Sequence, residues 1–411
     1  MIETLRSQVP HASLVVLVLS IFMAPSHAIG QERDNAGASA SPRTQEKPGS
    51  SEASRHFAAA REAEARLDLE TAVREYEAAI EMAPQWAEAI VNLGIVYNRQ
   101  DKADKAITCF TRAAQINPRL LGAHLNLAIT YFRARRYGEA EMPLRHCLEI
   151  DPSNRQAEGL LVLTLFALNR YVEVVDLAEK RIAGVSSDAA TIEILGRAYL
   201  KLHRYDQAVR ALEIRAALPP VSAEVYFVLG EARDNAGDSE GAIREFGRAI
   251  AMVGDKALPE LHFALGYVLW KMRRYDEAEV AFRHELERDQ KHDRSIYYLG
   301  NIALSRGDWK SAVRLLEQAA RAMPSDFAAR YDFAKVLLQV KEAGRAVEEA
   351  RAAIALKPKH AGAHYQLALA YRELKQEEES QREFTLSREL NKAEREDLDQ
   401  KVQGEERKKR P

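Results

Sequence analysis

Apolar and polar residues alternate along most of the chain with the spacing of amphipathic helices. From residue 53 to about residue 391, apolar side chains recur three and four positions apart in paired stretches, which short polar breaks separate. This spacing predicts helical hairpins and an all-α fold. The pattern returns every 34 residues, with one step of 36, and divides the chain into ten repeats. They begin at residues 53, 87, 121, 155, 189, 223, 259, 293, 327 and 361.

Two positions of the repeat carry small residues. Position 8 is Gly or Ala in nine of the ten repeats, with Val162 as the exception, and position 20 is Ala in eight. We expect the two helices of a hairpin to approach most closely there, because a larger side chain would hold the backbones apart. Large apolar residues at positions 7 and 24, such as Leu229 and Phe246, are expected to fill the flanking space.

The polar breaks contain residues that favour turns and helix ends. Within hairpins, Gly237-Asp238 and Asn169-Arg170 allow a tight reversal of the chain. A proline follows the second helix of six repeats, where the helix must stop. These prolines are Pro84, Pro118, Pro152, Pro220, Pro324 and Pro358.

The period and the signature residues together resemble the tetratricopeptide repeat (TPR) family over residues 53 to about 391. In the second repeat the signature is Leu93, Gly94, Tyr97, Ala106, Phe110, Ala113 and Pro118. The resemblance implies that the hairpins stack into a right-handed α-α superhelical solenoid, because one hairpin cannot bury its apolar face alone. It also implies a concave groove, lined by the first helix of each repeat, that binds a partner.

The fourth repeat departs most from the pattern and lacks the terminal proline. Its signature positions hold Glu158, Val162, Val174, Ala178 and Arg181. Charged residues also occupy position 27, where neighbouring repeats have Ala, at Arg215 and Glu285. Two interpretations fit these departures. Either the charged side chains reach past the apolar surface to solvent, or a seam near residue 184 divides the first four repeats from the last six.

Residues 1–28 have the layout of a secretory signal peptide. Arg6 and His11 precede an apolar run over residues 12–24, and small residues before Ala28 fit a cleavage site. A membrane-spanning helix needs about 20 apolar residues, more than this run has, which favours cleavage after Ala28. A retained membrane anchor is the alternative. Residues 29–52 are expected to form a flexible linker, and residues 392–411 a charged C-terminal cap that frays into a tail.

Charge and cysteine content narrow the class of protein. The chain has 59 Lys and Arg against 61 Asp and Glu, and this net charge of −2 gives no basic field for nucleic acid. The two cysteines, Cys109 and Cys147, fall in second helices of adjacent repeats. We expect buried free thiols there, while export of the protein would also permit a disulfide between them.

No motif for catalysis, metal binding or cofactor binding occurs in the sequence. A Gly-rich phosphate loop, Gly-x-Ser-x-Gly, His-Glu-x-x-His and paired-cysteine zinc spacing are all missing. His360 and His364 lie four residues apart, but position 4, where His364 falls, usually holds a packing residue, so we expect packing rather than metal ligation. The sequence therefore predicts no enzyme, no catalytic residue, no metal and no cofactor.

Candidate partner-binding residues lie in the first helices, where the resemblance places the groove. Position 5 of the last five repeats carries an aromatic ladder of Phe227, Phe263, Tyr297, Tyr331 and Tyr365. Positions 6, 9 and 12 add the rings and amides of Tyr267, Trp270, Asn92, Asn126 and Asn301. Aromatic faces beside amides suit a peptide segment or a sugar chain. Packing between repeats is the alternative role for the same side chains.

The predicted function is a non-enzymatic scaffold, exported to the periplasm or outside the cell. It binds a protein partner through the concave groove, in the assembly of an envelope, secretion or polysaccharide-related complex. A carbohydrate-binding module that uses the aromatic ladder is the alternative. Membrane attachment is expected only if the signal segment is retained.

Overall fold

A computed structural model describes residues 51–184, 189–254 and 258–409 of the chain. The predicted signal peptide and nearly all of the predicted linker lie outside these residues. The described residues form twenty helices and no strand, two helices to each repeat, so the prediction of an all-α array of hairpins is confirmed.

The helices of the first five repeats are numbered in chain order. They are α1 Ser51–Ala65, α2 Leu69–Met82, α3 Ala87–Arg99, α4 Ala103–Ile116, α5 Leu121–Arg133, α6 Tyr137–Ile150, α7 Arg155–Ala167, α8 Tyr171–Gly184, α9 Ala189–Lys201 and α10 Tyr205–Ala216. The last five repeats comprise α11 Ala223–Asn235, α12 Ser239–Val253, α13 Leu261–Lys271, α14 Tyr275–Arg288, α15 Asp293–Arg306, α16 Trp309–Ala322, α17 Phe327–Gln339, α18 Ala343–Leu356, α19 Ala361–Glu373 and α20 Glu377–Lys409. Odd-numbered helices are therefore first helices, and even-numbered helices are second helices.

The chain divides into two compact units after Arg215, in the last turn of the second helix of the fifth repeat. The seam expected near residue 184 is therefore not where the division falls. Inside each unit, every second helix packs against the first helix of the next repeat. First helices of successive repeats also contact one another, as α3 contacts α5 in the N-terminal unit and α13 contacts α15 in the C-terminal unit. One face of each unit is thus built from first helices alone.

The small residue at position 8 accommodates the large side chain at position 24 of the same hairpin. A Cβ atom added to Gly230 would lie 2.5 Å from Cε1 of Phe246, and one added to Gly94 would lie 2.6 Å from Cε1 of Phe110. Both distances are far inside van der Waals contact. The close approach that the sequence predicts at position 8 is therefore a contact between backbone and ring, and it occurs in both units.

Position 15 adopts the left-handed backbone conformation in all ten repeats. Only Gly237 and Gly307 are glycines there, and the other eight positions hold larger residues. These are Leu67, Asp101, Arg135, Asn169, His203, Arg273, Lys341 and Lys375. A left-handed residue without glycine is unfavourable by about 1 kcal/mol, so the packing of the two helices imposes the turn whatever residue is present.

Arg215 and Glu285 at position 27 are buried, so the interpretation that these side chains extend to solvent is wrong. Arg215 is 7% exposed and Glu285 is 2% exposed. Glu285 accepts a hydrogen bond from the backbone N–H of Phe263 at 3.2 Å, in the first turn of α13. That helix starts after Glu260, whose side chain makes no capping bond. A carboxylate from the neighbouring helix thus satisfies a donor that would otherwise be unpaired.

The last helix, α20, continues through the segment that was expected to fray. It runs without interruption from Glu377 to Lys409. In the first half of this helix, Ser380 and Ser387 occupy positions 20 and 27, where Ala is the commonest residue. Their hydroxyls donate to backbone carbonyls of α19 at 2.9 Å. Among the described helices, none combines the length and apolar character required to cross a membrane.

Candidate functional site

The richest collection of aromatic and polar side chains on the first helices lies in the C-terminal unit, on α13, α15 and α17. We call it the Trp270 cluster; its members are Tyr267, Trp270, Tyr297, Tyr298, Asn301 and Asp332. The ring centroids of Tyr267 and Trp270 are 6.2 Å apart with planes inclined by 23°, and both side chains are half-buried. The ring of Tyr298 packs edge-on against Trp270 at 4.9 Å.

Buried rings support the Trp270 cluster from beneath. Tyr298 stacks on Phe282 with centroids 5.4 Å apart and planes inclined by 10°. Phe263, which is 3% exposed, contacts both Phe282 and Tyr298. Edge-on and offset contacts of this kind fix ring orientations beyond what burial alone achieves, so Tyr267 and Trp270 are held in place by the layer below.

Hydrogen bonds connect the three first helices of the Trp270 cluster. The indole Nε1 of Trp270 donates to Oδ1 of Asn301 at 3.0 Å, and Nδ2 of Asn301 donates to Oδ2 of Asp332 at 3.1 Å. The Tyr297 hydroxyl donates to the same Oδ2 atom at 2.7 Å. The chain of donors therefore ends on one oxygen of one carboxylate, and it links three consecutive repeats.

Burial raises the pKa of both acidic groups at the Asp332 end of this hydrogen-bond chain. It raises the pKa of the Asp332 carboxyl, although the bonds from Tyr297 and Asn301 act in the opposite direction. The pKa of the Tyr297 phenol is raised first by burial and then by the adjacent Asp332 charge. Tyr297 therefore stays protonated and acts as a donor, and Asp332 ionises less readily than an exposed aspartate.

Family comparisons agree with the repeat structure. Residues 87–153 and 195–262 each match the tetratricopeptide repeat family. The chain is a tetratricopeptide repeat protein. Residues 271–348, which include most of the Trp270 cluster, match the family described as anaphase-promoting complex, cyclosome, subunit 3.

Individual proteins similar to this TPR protein include a curated relative and solved structures. Anaphase-promoting complex subunit 3 of Schizosaccharomyces pombe is 22% identical over 194 residues, which cover 47% of this chain but only 29% of that relative. A tetratricopeptide repeat protein from Parabacteroides merdae is 15% identical with a TM-score of 0.45, covering 58% of this chain and 93% of the other. The APC/C hetero-tetramer Cut9–Hcn1 is 16% identical with a TM-score of 0.44, covering 82% and 73% of the two chains.

The predicted aromatic ladder is not one continuous exposed strip in the TPR array. Phe263 and Tyr297 are only 3% and 8% exposed, so they present little surface to a ligand. Phe227 and Tyr331 are half-buried, and Tyr331 stacks on Phe327 at 5.6 Å. Tyr365, in the last repeat, is 46% exposed. The structure instead brings together Tyr267, Trp270, Tyr297 and Asn301 from the predicted set.

The two predicted asparagines of the N-terminal unit interact with their own surroundings. Nδ2 of Asn126 donates to the backbone carbonyl of Gly122 at 2.8 Å, one turn earlier in the same helix. The side chain of Asn92 lies beside the phenol of the buried Tyr76 and acts to lower its pKa. These amides therefore support local packing and are not arranged as a pair beside aromatic rings.

Sequence reasoning missed Asp332 and Tyr298, which both lie at position 6 of their repeats. The prediction treated position 6 as a site for amides because Asn92 and Asn126 lie there. A signal was present, since a phenol and a carboxylate occupy position 6 in two of the three repeats whose position 5 holds tyrosine. The pairing of Tyr297 with Asp332 of the next repeat was not visible without the packing.

The two histidines with metal-like spacing are both engaged by protein groups. His360 accepts from the backbone N–H of Ala363 at 3.1 Å and so caps α19. The ring of His364 contacts the Glu383 carboxylate at 2.6 Å and the Pro358 carbonyl at 3.0 Å. Within the described ranges, no group of three or more His, Cys, Asp and Glu side chains has a metal-binding arrangement.

The two cysteines are free thiols in the structure. Cys147 is buried and Cys109 is half-buried. Burial raises the pKa of the Cys109 thiol to about 11 and that of the Cys147 thiol to about 12. Both groups are therefore protonated and poorly nucleophilic at neutral pH.

Proposed function

We propose that this protein is an exported, non-enzymatic scaffold that binds an extended segment of a protein partner along its first helices. The complex that it assembles belongs to the cell envelope, a secretion system or polysaccharide-related machinery. The Trp270 cluster carries the proposal, because it combines half-buried rings with fixed polar groups on three adjacent helices. Such a combination is typical of the central part of a protein interface.

The relative of this chain supports a role in assembly. The fission yeast protein is by name a subunit of a complex, the class of role proposed here. The described residues of this chain are all accounted for by helical hairpins and their turns. A repeat array of this kind presents a long surface formed by successive repeats, which suits an extended partner.

The export part of the proposal is supported by the pattern of residues 1–28, which precede the described residues. N-terminal sequencing of the protein from its own cells tests this part. A mature chain that starts at Ile29 is the expected result, in the periplasm or outside the cell. A chain that retains the apolar run would instead make the scaffold membrane-anchored.

The scaffold role is tested by affinity capture with the tagged chain expressed in its own cells. A variant with Tyr267→Ala and Tyr331→Ala removes two half-buried rings from first helices. The matched control, Met142→Ala with Val280→Ala, removes apolar side chains that are 55% and 53% exposed on second helices. We expect mass spectrometry to find a partner with the parent and the control but not with the ring variant.

An identical set of captured proteins for the parent and the helical ring variant would contradict binding on the first helices. Capture of no protein by any of the three chains would contradict the scaffold role itself. Circular dichroism establishes that the ring variant keeps its helices, so that lost capture is not lost folding.

A carbohydrate-binding module is the second candidate function. The near-parallel rings of Tyr267 and Trp270 favour it, because such rings can stack on successive sugar units. It predicts saturable binding of the purified chain on a glycan panel and loss of that binding in the Tyr267→Ala, Tyr331→Ala variant. No binding across the panel would eliminate it.

A further inference from the structure

One oxygen of the Asp332 carboxylate has no hydrogen-bond partner in the structure. Oδ2 accepts from both Tyr297 and Asn301. Among the described residues, no hydrogen bond or ion pair reaches Oδ1, and this atom is not sealed from solvent. A half-buried carboxylate in this state has lost part of its hydration without a full replacement.

The cations beside the Trp270 cluster are paired with other groups or lie beyond ion-pair distance of Asp332. Lys271 pairs with Asp234 at 2.5 Å. Arg294 pairs with Glu260 at 2.5 Å, and its guanidinium lies 4.4 Å from the ring centroid of Phe263. Lys335, one turn beyond Asp332, is exposed and does not come within ion-pair distance of it. The negative charge at Oδ1 is therefore not neutralised by a contact within the described part of the chain.

An aromatic surface lies one amide group away from this carboxylate. The side chain of Asn301 bridges the Trp270 indole to Asp332. Because the indole N–H is already bonded to Asn301, a ligand can approach Trp270 only at the exposed part of its half-buried ring, and the π face of such a ring attracts cations. A lysine or arginine side chain has an apolar stem that packs on a ring and a charged end that pairs with a carboxylate.

We infer that Tyr267, Trp270 and Asp332 form a subsite for one lysine or arginine side chain of the bound partner segment. The inference rests on the proposed function and specifies the chemistry of the partner at this point. The stem packs on the two rings, and the charged end donates to Oδ1 of Asp332. Tyr297 and Asn301 are positioning residues, because they hold the carboxylate through Oδ2 and leave Oδ1 directed to the ligand.

The charge of Asp332 favours a basic side chain over a sugar at the same rings. A neutral sugar gains from ring stacking and can donate a hydroxyl to Oδ1, but it brings no positive charge to pair with the carboxylate. The amide of Asn301, which would serve a sugar hydroxyl, is already occupied by Trp270 and Asp332. A cationic side chain interacts favourably with the ring faces and also pairs with Oδ1 of Asp332.

The probe is an acetylated, amidated Gly-Ser peptide of nine residues with one central arginine, and its neutral counterpart has citrulline at that position. Binding to the full chain is followed by the NMR shift of the Trp270 indole N–H, which the Trp270→Phe variant assigns. We expect saturable binding of the arginine peptide. We also expect affinity to fall about tenfold or more with citrulline, because a charge-assisted hydrogen bond is lost.

Asp332→Asn is the decisive variant, and Glu348→Gln is its matched control. Both remove one negative charge from the C-terminal unit, but Glu348 is exposed on the second helix α18. Asp332→Asn should weaken the arginine peptide about tenfold or more, while Glu348→Gln leaves its affinity unchanged. Asn retains an acceptor for Tyr297 and removes a charge that burial disfavours, so the variant should melt at or above the temperature of the parent.

Several outcomes would overturn the subsite. These are equal affinity for arginine and citrulline, equal affinity of the parent and Asp332→Asn, or no binding of the arginine peptide by the parent. Saturable binding of maltohexaose that depends on Trp270 and survives Asp332→Asn would assign the rings to a sugar instead. A variant that melts well below the parent would show that the charge serves folding rather than binding.

Failure of the subsite and failure of the scaffold role are distinguishable. If Asp332→Asn captures the same partner as strongly as the parent, the scaffold role stands and the basic side chain does not bind here. If the arginine peptide binds through Asp332 but no chain captures a partner, the subsite stands and the proposed scaffold role falls.

Discussion

In both units a side chain at position 12 donates a hydrogen bond to the first helix of the next repeat. The chemical group at the far end of this hydrogen-bond connection differs between the units. In the N-terminal unit, Asn98 at position 12 donates to the Thr130 hydroxyl of the next repeat at 2.7 Å. In the C-terminal unit, Trp270 at position 12 donates to Asn301 of the next repeat at 3.0 Å. The first connection ends in a neutral hydroxyl that donates to the Asn126 carbonyl, and the second ends in a carboxylate with one open oxygen.

At position 5, the N-terminal unit contains a buried charge and the C-terminal unit contains aromatic rings. In the C-terminal unit it holds rings such as Phe263, whereas in the fifth repeat it holds Glu193, which is 1% exposed. The Glu193 carboxylate lies 2.9 Å from Nη2 of Arg197 and 3.4 Å from Nε of Arg215. A buried carboxylate that is paired with arginines contributes to folding, while a carboxylate without a cation in ion-pair contact is available to a basic ligand. The comparison therefore separates structural charge from candidate binding charge.

The largest expected effect is from Glu193→Ala in the N-terminal unit. Glu193 pairs with both Arg197 and Arg215, and removing one partner of a buried ion pair typically costs about 3–5 kcal/mol. Urea unfolding, with hydrogen exchange of α9 and α10, measures the loss. Asp332→Asn in the C-terminal unit provides the contrast, since no loss is expected there. A loss below about 1 kcal/mol for Glu193→Ala, the range of exposed pairs, would mean that its charges are effectively solvated.

Gly230→Leu tests the packing that both units share. The new side chain would collide with Phe246, and overpacking of this kind costs about 1–3 kcal/mol or more. Gly247→Ala is the control on the next helix, because a Cβ atom there meets no other atom within 4 Å. Alanine in a helix is favoured over glycine, so the control should raise the melting temperature. Equal melting curves for Gly230→Leu and the parent would show that the helix contact is misassigned.

The smallest effect concerns helix capping, which varies from helix to helix within both units. Asp238 is the N-cap of α12, and its carboxylate accepts from the backbone N–H of Gly241 at 2.8 Å. Lys102, the N-cap of α4, makes no side-chain capping bond. Loss of such a cap in Asp238→Ala costs about 1 kcal/mol. The cap lowers the pKa of Asp238, so its stabilisation is complete above the unfolded value of about 3.9 and is lost as pH falls below it.

Thermal melting of the parent and Asp238→Ala between pH 2 and pH 7 checks the sign. The difference between the two chains should be full near neutrality and should shrink in acid. A difference that grows in acid would mean that the carboxylate is not the group responsible.

The sequence by itself determined the ten repeats, the helical hairpins and the need for a small residue at position 8. These features follow from local spacing, because residues three and four apart share one face of a helix. The resemblance to the TPR family was likewise present in residues such as Gly94 and Phe110. The aromatic residues at positions 5, 9 and 12 were also identifiable, including Tyr267 and Trp270.

Only the tertiary structure decided which of those residues are covered and which polar groups remain open. Tyr297 and Tyr365 occupy the same repeat position, yet one is 8% exposed and the other 46%. The difference arises because Asp332 of the following repeat meets Tyr297, whereas no described hairpin follows Tyr365. The burial of Glu285 and the left-handed conformation of Leu67 are likewise set by tertiary packing. Each depends on how neighbouring helices pack, and residue spacing within one helix does not encode that.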